Sequence, residues 1–179
     1  STADLTLDGV TITGGRVTDG QADGGGVLVS GADLTIQNST IAGNSAAGEF
    51  ANGGGAFVDG DLTIQNSTIN NNGAAGGDTD GDTYDADVAN YGGGGVYTTG
   101  AATITGSTIS NNATTGIAGR GAGIKAQGDI TITGSTVFSN TARGEKANGA
   151  GLYSAGEVTA TNSTFVGNRS YEFDSAGGA

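Results

Sequence analysis

The chain has 179 residues, of which 37 are Gly, and it contains no Pro, Cys, Met, Trp or His. Without Cys or His, the sequence excludes a disulfide framework, a zinc finger, a thiolate or imidazole nucleophile, and the usual haem and iron–sulfur ligation. Six Lys and Arg against 18 Asp and Glu give a net charge of −12, which argues against nucleic acid and anionic membrane as partners. No apolar run is long enough to insert across a membrane.

One phrase returns six times along the chain, beginning with Leu5-Thr6-Leu7. Its third residue falls at positions 7, 36, 64, 104, 132 and 160, so the intervals are 29, 28, 40, 28 and 28. Fixed periods of this length are typical of stacked repeat architectures rather than of disordered, low-complexity chains. The longer interval indicates a loop insertion over about residues 73–91. We therefore expect residues 1–179 to form a single repeat domain.

Each repeat contains three short segments in which apolar and polar residues alternate, as they do on half-buried strands. We name them the Leu-Thr-Ile strand, as in Leu34–Gln37, the Ser-Thr-Ile strand, as in 39–41, and the post-glycine strand, as in Val27–Val29. No segment has the spacing of an amphipathic helix. The sequence predicts an all-β fold, a single-stranded parallel β-helix of about six coils with three short strands per coil.

Stacking of the repeats places equivalent residues in columns along the β-helix. An apolar column is expected from Ile12, Ile41, Ile69, Ile109, Val137 and Phe165. A column suited to side-chain amide ladders is expected from Asn44, Asn72, Asn112, Asn140 and Asn168. A glycine column, where φ is positive or another backbone passes closely, is expected from Gly26, Gly55, Gly95, Gly123 and Gly151.

Paired glycines before an apolar residue alternate with an apolar-x-x-Asn phrase, as in Gly54-Gly55-Ala56-Phe57 and Phe165-Val166-Gly167-Asn168. This pattern resembles the GGAI/FxxN repeat of polymorphic outer membrane proteins and, more widely, the right-handed β-helix regions of bacterial surface and autotransporter proteins. The resemblance covers all six repeats, with Ile or Val where Phe is usual. It implies a right-handed helix, surface display, and an adhesive or structural role, and it carries over no catalytic residue.

The insertion contains a dense acidic segment. Its carboxylates alternate with small residues around a central Gly81, and such a chain can curl to bring several oxygens onto Ca²⁺. The alternative is a solvated acidic flap on a tolerant loop. The expected metal ligands are Asp78, Asp80, Asp82, Asp85 and Asp87.

The middle position of the post-glycine strand forms an apolar and aromatic column that is expected to face outward. We call it the aromatic column: Leu28, Phe57, Tyr97, Lys125 and Tyr153. An exposed stripe of this kind is a plausible binding surface. Equally, the rings stabilise neighbouring rungs or lie under loops.

Two further patterns bear on function. Outward Thr columns resemble those of ice-binding proteins, although Gln37 and Gln65 interrupt the adjacent column and Thr is the default polar residue on a strand. A β-helix enzyme would need a basic residue or paired carboxylates on one strand face, but every cation except Lys125 lies in or near a loop. The recurring acids Asp33, Asp61, Asp129 and Glu157 share one column, which fits repeated turn chemistry. We therefore expect no enzymatic activity.

The chain opens inside a coil at Leu5 and Leu7 and closes on the start of a post-glycine strand at Gly177, Gly178 and Ala179. One molecule's tail therefore almost completes another's first coil, and uncapped strand edges are templates for pairing. We expect an extracellular or cell-surface protein that stacks head-to-tail on itself into a fibre or surface layer. The alternatives are an excised segment of a larger bacterial adhesin that binds glycans or host surface, and an ice-binding protein.

Overall fold

The structure of the protein is a computed structural model, which describes residues 3–18, 20–76, 91–116, 119–144 and 146–172. Over these residues the chain winds into successive coils, and each strand pairs in parallel with its counterpart in the neighbouring coil. The described ranges contain strands and turns but no helix. The parallel β-helix predicted from the repeat register is confirmed.

Every strand of the Leu-Thr-Ile sheet has four residues. The leucine, isoleucine and threonine residues of these strands suit a pleated, half-buried surface. Its strands pair residue for residue, so that Ile36 lies between Leu7 and Ile64. The strands are Leu5–Asp8, Leu34–Gln37, Leu62–Gln65, Ala102–Thr105, Ile130–Thr133 and Val158–Thr161.

The Ser-Thr-Ile sheet follows after one tight corner in each coil. At that corner a single residue adopts a left-handed conformation, such as Asn66 with φ of +47°, which Asn and Gly tolerate better than other residues. The strands are Thr11–Thr13, Thr40–Ala42, Thr68–Asn70, Thr108–Ser110, Thr136–Phe138 and Thr164–Val166.

A further sheet, which we call the Ala/Gly-rich sheet, was not among the three predicted strands of each coil. The strands Ser45–Gly48 and Gly73–Gly76 contain only Ser, Ala and Gly, which have weak strand propensity, so pairing with the neighbouring coils sets their conformation. The strands are Arg16–Val17, Ser45–Gly48, Gly73–Gly76, Ala113–Thr115, Thr141–Gly144 and Arg169–Glu172. The expected insertion over about 73–91 is therefore wrong at its start, since Gly73–Gly76 is a paired strand.

The post-glycine sheet closes each coil. Its strands are Val27–Val29, Ala56–Val58, Val96–Thr98, Ile124–Ala126 and Leu152–Ser154. Just before it, a narrow ladder is formed by Gln21–Asp23 paired with Phe50–Asn52, and it continues through single bridges at Gly92, Arg120 and Asn148.

The interior is filled by the stacked apolar columns. Ile41, Ile69, Ile109 and Val137 are all fully buried, as the predicted apolar column requires. Side chains of like shape lie above one another and fill the narrow interior. The Ala/Gly-rich sheet directs mainly small side chains inward, such as Ala46 and Ala74, with Val17 of the first coil packed against them.

The predicted amide ladder is present at the corner before the Ala/Gly-rich sheet. Asn112 Oδ1 accepts hydrogen bonds from the backbone N–H and from Nδ2 of Asn72, at 3.0 and 3.1 Å. Its own Nδ2 donates to the carbonyl of Ile69 and to Oδ1 of Asn140, both at 3.0 Å. Each asparagine thus satisfies backbone and side-chain groups in the coils on either side of it.

Close backbone approach explains the predicted glycine column. A Cβ atom at Gly55 would lie 2.5 Å from the carbonyl oxygen of Gly95 and 3.0 Å from Cγ of Asn72. The glycines are therefore required by the space that the amide ladder and the next coil occupy.

Candidate functional site

The aromatic column lies on the outer face of the post-glycine sheet, as predicted. Its members pair in register from coil to coil, with Phe57 between Leu28 and Tyr97, and Lys125 between Tyr97 and Tyr153. Most residues that flank the column along each strand belong to the apolar core, and Thr98, which follows Tyr97, is buried as well. Strand alternation therefore directs the column away from the core.

The column is not an exposed stripe along its whole length. Leu28 is 59% exposed, and Phe57 and Tyr153 are half-buried, whereas Tyr97 is only 6% exposed and Lys125 only 1%. The predicted exposure is therefore wrong at Tyr97 and Lys125. The role of the column as a binding surface stays a prediction.

The narrow ladder beside the post-glycine sheet accounts for this burial. At the turn between them, Gly93 and Gly121 adopt φ values of +69° and +57°. A Cβ atom at Gly93 would lie 2.8 Å from Cβ of Tyr97, and one at Gly121 would lie 2.9 Å from Cβ of Lys125. The glycine backbone thus folds closely over the base of the column, which only a residue without a side chain permits.

Lys125 is the most buried charged side chain of the described residues. Its Nζ lies 4.9 Å from the ring centroid of Tyr97 and 5.9 Å from that of Tyr153, and it donates to the carbonyl of Tyr91 at 3.4 Å. Burial, with repulsion from Arg120, lowers the pKa of Lys125 to about 7. The two rings partly offset this because their faces attract a cation.

Ring contacts link the rest of the column. Phe57 and Tyr97 stack with their centroids 5.2 Å apart and their planes at 4°. Gln127 Nε2 donates to the hydroxyl of Tyr97 at 2.9 Å, and burial raises the pKa of that hydroxyl. The guanidinium carbon of Arg120 lies 5.3 Å from the ring centroid of Tyr153. These contacts support the alternative that the rings stabilise neighbouring rungs.

A second surface feature was missed by the sequence reasoning. The outer face of the Ala/Gly-rich sheet carries a groove of about 280 Å³ lined by Ala113, Thr115, Thr141 and Arg143, together with Thr114, whose side chain is buried on the inner face. Arg143 also lies 5.4 Å from the ring centroid of Tyr171, which is 40% exposed. In sequence, the column that contains Arg143 and Tyr171 has only small residues in the earlier coils, Ala47, Ala75 and Thr115. This change to large side chains could have indicated the groove, but the column belongs to a sheet that the sequence did not predict.

The predicted calcium ligands Asp78, Asp80, Asp82, Asp85 and Asp87 lie outside the described residues. Within the described ranges, no group of three or more acidic side chains is placed to hold a metal ion. Calcium binding by the acidic segment stays a prediction. A rise in the thermal unfolding midpoint with Ca²⁺ but not Mg²⁺, lost on substitution of Asp80 and Asp82 by Asn, is the expected result.

The repeated acids between the sheets do the turn chemistry that was expected of them. Asp33 Oδ1 accepts the backbone N–H of Asp61 at 2.8 Å, and Asp61 Oδ1 accepts that of Ala101 at 2.8 Å. Asp129 Oδ1 accepts the backbone N–H of Glu157 at the same distance. Each carboxylate is thus used to hold the next coil.

The outward threonines of the Leu-Thr-Ile sheet stand in register. Thr63 pairs with Thr35 and Thr103, and Gln65 pairs with Gln37 in the adjacent column, as the sequence indicated. This array is what strand alternation gives on any solvent-facing sheet. Ice binding stays a prediction.

Both end coils of the described structure expose residues that are interior elsewhere. Leu5 is 36% exposed and Leu7 half-buried at one end, and Val158 and Phe165 are 48% and 44% exposed at the other. Gly177, Gly178 and Ala179, which were also expected to take part in stacking, lie outside the described residues.

Comparisons with known proteins bear on the fold. Among the described residues, no helix is long and apolar enough to span a membrane. No curated protein and no solved structure matches the chain. A family model described as "Right handed beta helix region" matches residues 1–179. The chain therefore belongs to the right-handed β-helix family.

Proposed function

We propose that the chain is a non-enzymatic, extracellular structural protein, a β-solenoid subunit that stacks head-to-tail into a fibre or surface layer. The observation that carries the proposal is the exposure of an interior column at the last described coil. Phe165 pairs with Val137, which is fully buried, yet Phe165 itself is 44% exposed. Burial of such a face against another coil is favourable, because apolar area leaves water.

Unpaired strand edges support the same proposal. Among the described strands, Val158–Thr161 pairs only with Ile130–Thr133, and Leu5–Asp8 only with Leu34–Gln37. Each edge leaves a row of backbone N–H or C=O groups that a parallel strand of a second copy is able to satisfy. A contact between unlike ends that does not close into a ring produces a filament.

The absence of catalytic activity is part of the proposal. The described carboxylates that recur from coil to coil are engaged with backbone N–H groups, as Asp33 and Asp61 are. The one lysine on a strand face, Lys125, is only 1% exposed and thus shielded from a substrate. Neither arrangement offers an acid–base pair at a shared cleft.

Sedimentation velocity over a range of protein concentrations tests the stacking proposal. Rod-like species that lengthen with concentration are expected, and negative-stain images should show a constant width. Phe165→Glu, which places a charge on the end face, should abolish lengthening. Val166→Glu is the matched control, since Val166 lies one residue further on the outward side and is 57% exposed. A monomer at every concentration contradicts the proposal.

An adhesin that binds acidic glycans is the second candidate function, and the groove beside Arg143 favours it. Threonine hydroxyls, a guanidinium group and the exposed ring of Tyr171 there are groups that bind sugars carrying a carboxylate. Binding of uronic-acid oligosaccharides, lost in Arg143→Ala and Tyr171→Ala but kept in Arg16→Ala, would support it. Equal binding by all these variants would exclude the groove.

A further inference from the structure

The arginines of the described strands all lie on the outer face of the Ala/Gly-rich sheet. Arg16, Arg143 and Arg169 are exposed there, although the chain has only six Lys and Arg against 18 Asp and Glu. Among the described residues, Arg143 contacts the ring of Tyr171, and neither Arg143 nor Arg169 donates a hydrogen bond to a carboxylate. Unpaired guanidinium groups on one face of an acidic protein indicate a site for an anion.

The strand register places a threonine between two of these arginines. Arg169 pairs with Thr141 in the adjacent coil, and Arg143 follows Thr141 by two residues on the same face of the same strand. Paired strands lie about 4.8 Å apart and residues two apart on a strand about 6.6 Å, so the backbones of the two arginines are about 8 Å apart. Long side chains in such diagonal positions reach each other. We call Arg143, Thr141 and Arg169 the arginine–threonine triangle.

The groove of the Ala/Gly-rich sheet lies beside this triangle. Thr141 and Arg143 line the groove of about 280 Å³, together with Thr115, which pairs with Arg143 in the preceding coil. The guanidinium carbon of Arg143 lies 5.4 Å from the ring centroid of Tyr171. A ring attracts a cation through its face and accepts none of the strong N–H donors, so these donors are left for an oxyanion.

Two guanidinium groups and a hydroxyl match a phosphate monoester better than a carboxylate. A carboxylate carries one charge on two oxygens, whereas a phosphate monoester carries a charge of about −1.5 to −2 at pH 7 on three strong acceptor oxygens. The planar fork of an arginine binds phosphate through two parallel hydrogen bonds. One tetrahedral phosphate between the arginines is therefore able to accept hydrogen bonds from both of them and from the threonine hydroxyl.

We propose that the arginine–threonine triangle binds a phosphate monoester carried on a sugar, whose ring occupies the adjoining groove. The proposal rests on the glycan-binding candidate function of this groove, and it narrows the ligand from acidic sugars in general to phosphorylated ones. Arg143, Arg169 and Thr141 hold the phosphate. The hydroxyl of Thr115 is left to bind the hydroxyl groups of the sugar.

Isothermal titration calorimetry of the full chain with matched ligands tests this assignment. Glucose 6-phosphate should bind roughly tenfold more tightly than glucose 6-sulfate, glucuronic acid or inorganic phosphate, because only it combines two charges with a sugar ring. Its affinity should rise from about pH 5.5 to about pH 7.5, since the second pKa of a phosphate monoester is about 6. The sulfate ester keeps one charge over this range, so a titration of the protein itself would change the binding of both esters.

Substitutions locate the phosphate on the triangle. Arg143→Gln and Arg169→Gln should each weaken the binding of glucose 6-phosphate roughly tenfold, and Thr141→Val should weaken it less. Arg16→Gln is the matched control, because it removes the same charge from the column that contains Arg169, at the far end of the sheet. Circular dichroism melting verifies that each variant keeps the fold. Equal weakening by all three arginine variants would mean that net charge alone attracts the ligand, and the site would be overturned.

The remaining outcomes separate the phosphate site from the wider glycan function. Glucuronic acid that binds as tightly as glucose 6-phosphate, with no effect of Arg169→Gln, overturns the phosphate site and leaves the groove as a site for acidic sugars. Inorganic phosphate that binds as tightly as glucose 6-phosphate overturns the assignment of a phosphorylated sugar. Absence of binding by every ligand at a low ionic strength of about 0.01 M overturns both the phosphate site and the glycan function of the groove.

Discussion

At the scale of single residues, Lys125 is buried, and its Nζ contacts the rings of Tyr97 and Tyr153 and the carbonyl of Tyr91. Within the described ranges, the charged group that acts on its pKa is Arg120, which repels it. Tyr97 and Tyr153 supply the attraction through their ring faces. A buried ammonium held in this way costs stability whenever it carries its proton.

Stability is expected to rise with pH because of this lysine. In the unfolded chain Lys125 keeps its proton to about pH 10.4, whereas in the folded chain its pKa is about 7. Between these values the unfolded state binds more protons, so this lysine's contribution to the free energy of unfolding increases from pH 7 towards about pH 10.4 and is lowest below pH 7. Urea unfolding at pH 6 and at pH 9 measures the difference.

Substitution of the lysine isolates its contribution. Lys125→Met keeps the shape and removes the charge, so it should stabilise the protein at pH 6 by about 1–2 kcal/mol and flatten the pH dependence. Lys146→Met is the control, since Lys146 is exposed. Unchanged pH dependence in Lys125→Met would show that the buried charge is not its source.

The amide ladder offers a second test at this scale. Asn112→Ala removes the acceptor of two hydrogen bonds from Asn72 and the donor to the carbonyl of Ile69. Buried groups are left unsatisfied, and a loss of about 2–4 kcal/mol in the free energy of unfolding is expected. Gln65→Ala, at an exposed strand position, should cost much less in the same denaturation assay. Equal losses would mean that the ladder is dispensable.

At the scale of elements, the corner just before the amide ladder has a left-handed backbone conformation in each coil, and Ser139 is poorly suited to it. The corner residue has positive φ in successive coils, and Ser139 takes it with φ of +54° where Gly43 has +65°. Serine lacks the freedom of glycine there. Ser139→Gly should therefore increase the free energy of unfolding by about 0.5–1 kcal/mol. The expected readout is a higher unfolding midpoint.

The reverse change at the same corner is the matched control. A Cβ atom added at Gly43 would contact only Oγ1 of Thr13, at 3.5 Å, so Gly43→Ala causes no steric clash. Any loss in the free energy of unfolding therefore measures the cost of the left-handed backbone conformation. A loss of about 1 kcal/mol is expected by calorimetry. A stabilised Gly43→Ala or a destabilised Ser139→Gly would contradict the assignment of the corner.

The repeat made part of each element predictable and left part out of reach. Ile41 and Asn44 recur with a constant period, and period and alternation are enough to place them inside the coil. Ser45–Gly48 is a strand because it pairs with the strands of the neighbouring coils, Arg16–Val17 and Gly73–Gly76. Its own small residues have no pattern that predicts a strand. Lys125 is buried because the glycine backbone at Gly121 passes closely over it. The repeat aligns equivalent strand residues, but it does not predict the path of a connecting segment.

At the scale of the whole molecule, the structure is a stack in which each coil is supported by its two neighbours. In the part of the chain that the structure describes, the interior column ends exposed at Phe165, and the strands Leu5–Asp8 and Val158–Thr161 each have one edge without a paired strand. Stability in such stacks is the sum of coil and interface terms, so an added coil is stabilising wherever its interface is favourable.

Fibre diffraction from aligned assemblies of the protein tests the central claim most directly. If copies stack end to end and continue the parallel sheets, a reflection at about 4.8 Å lies along the fibre axis, since strands are perpendicular to it. Assemblies held by side-to-side contacts would give no such oriented reflection along the axis of growth. That result, or soluble monomers under every condition, would contradict the account.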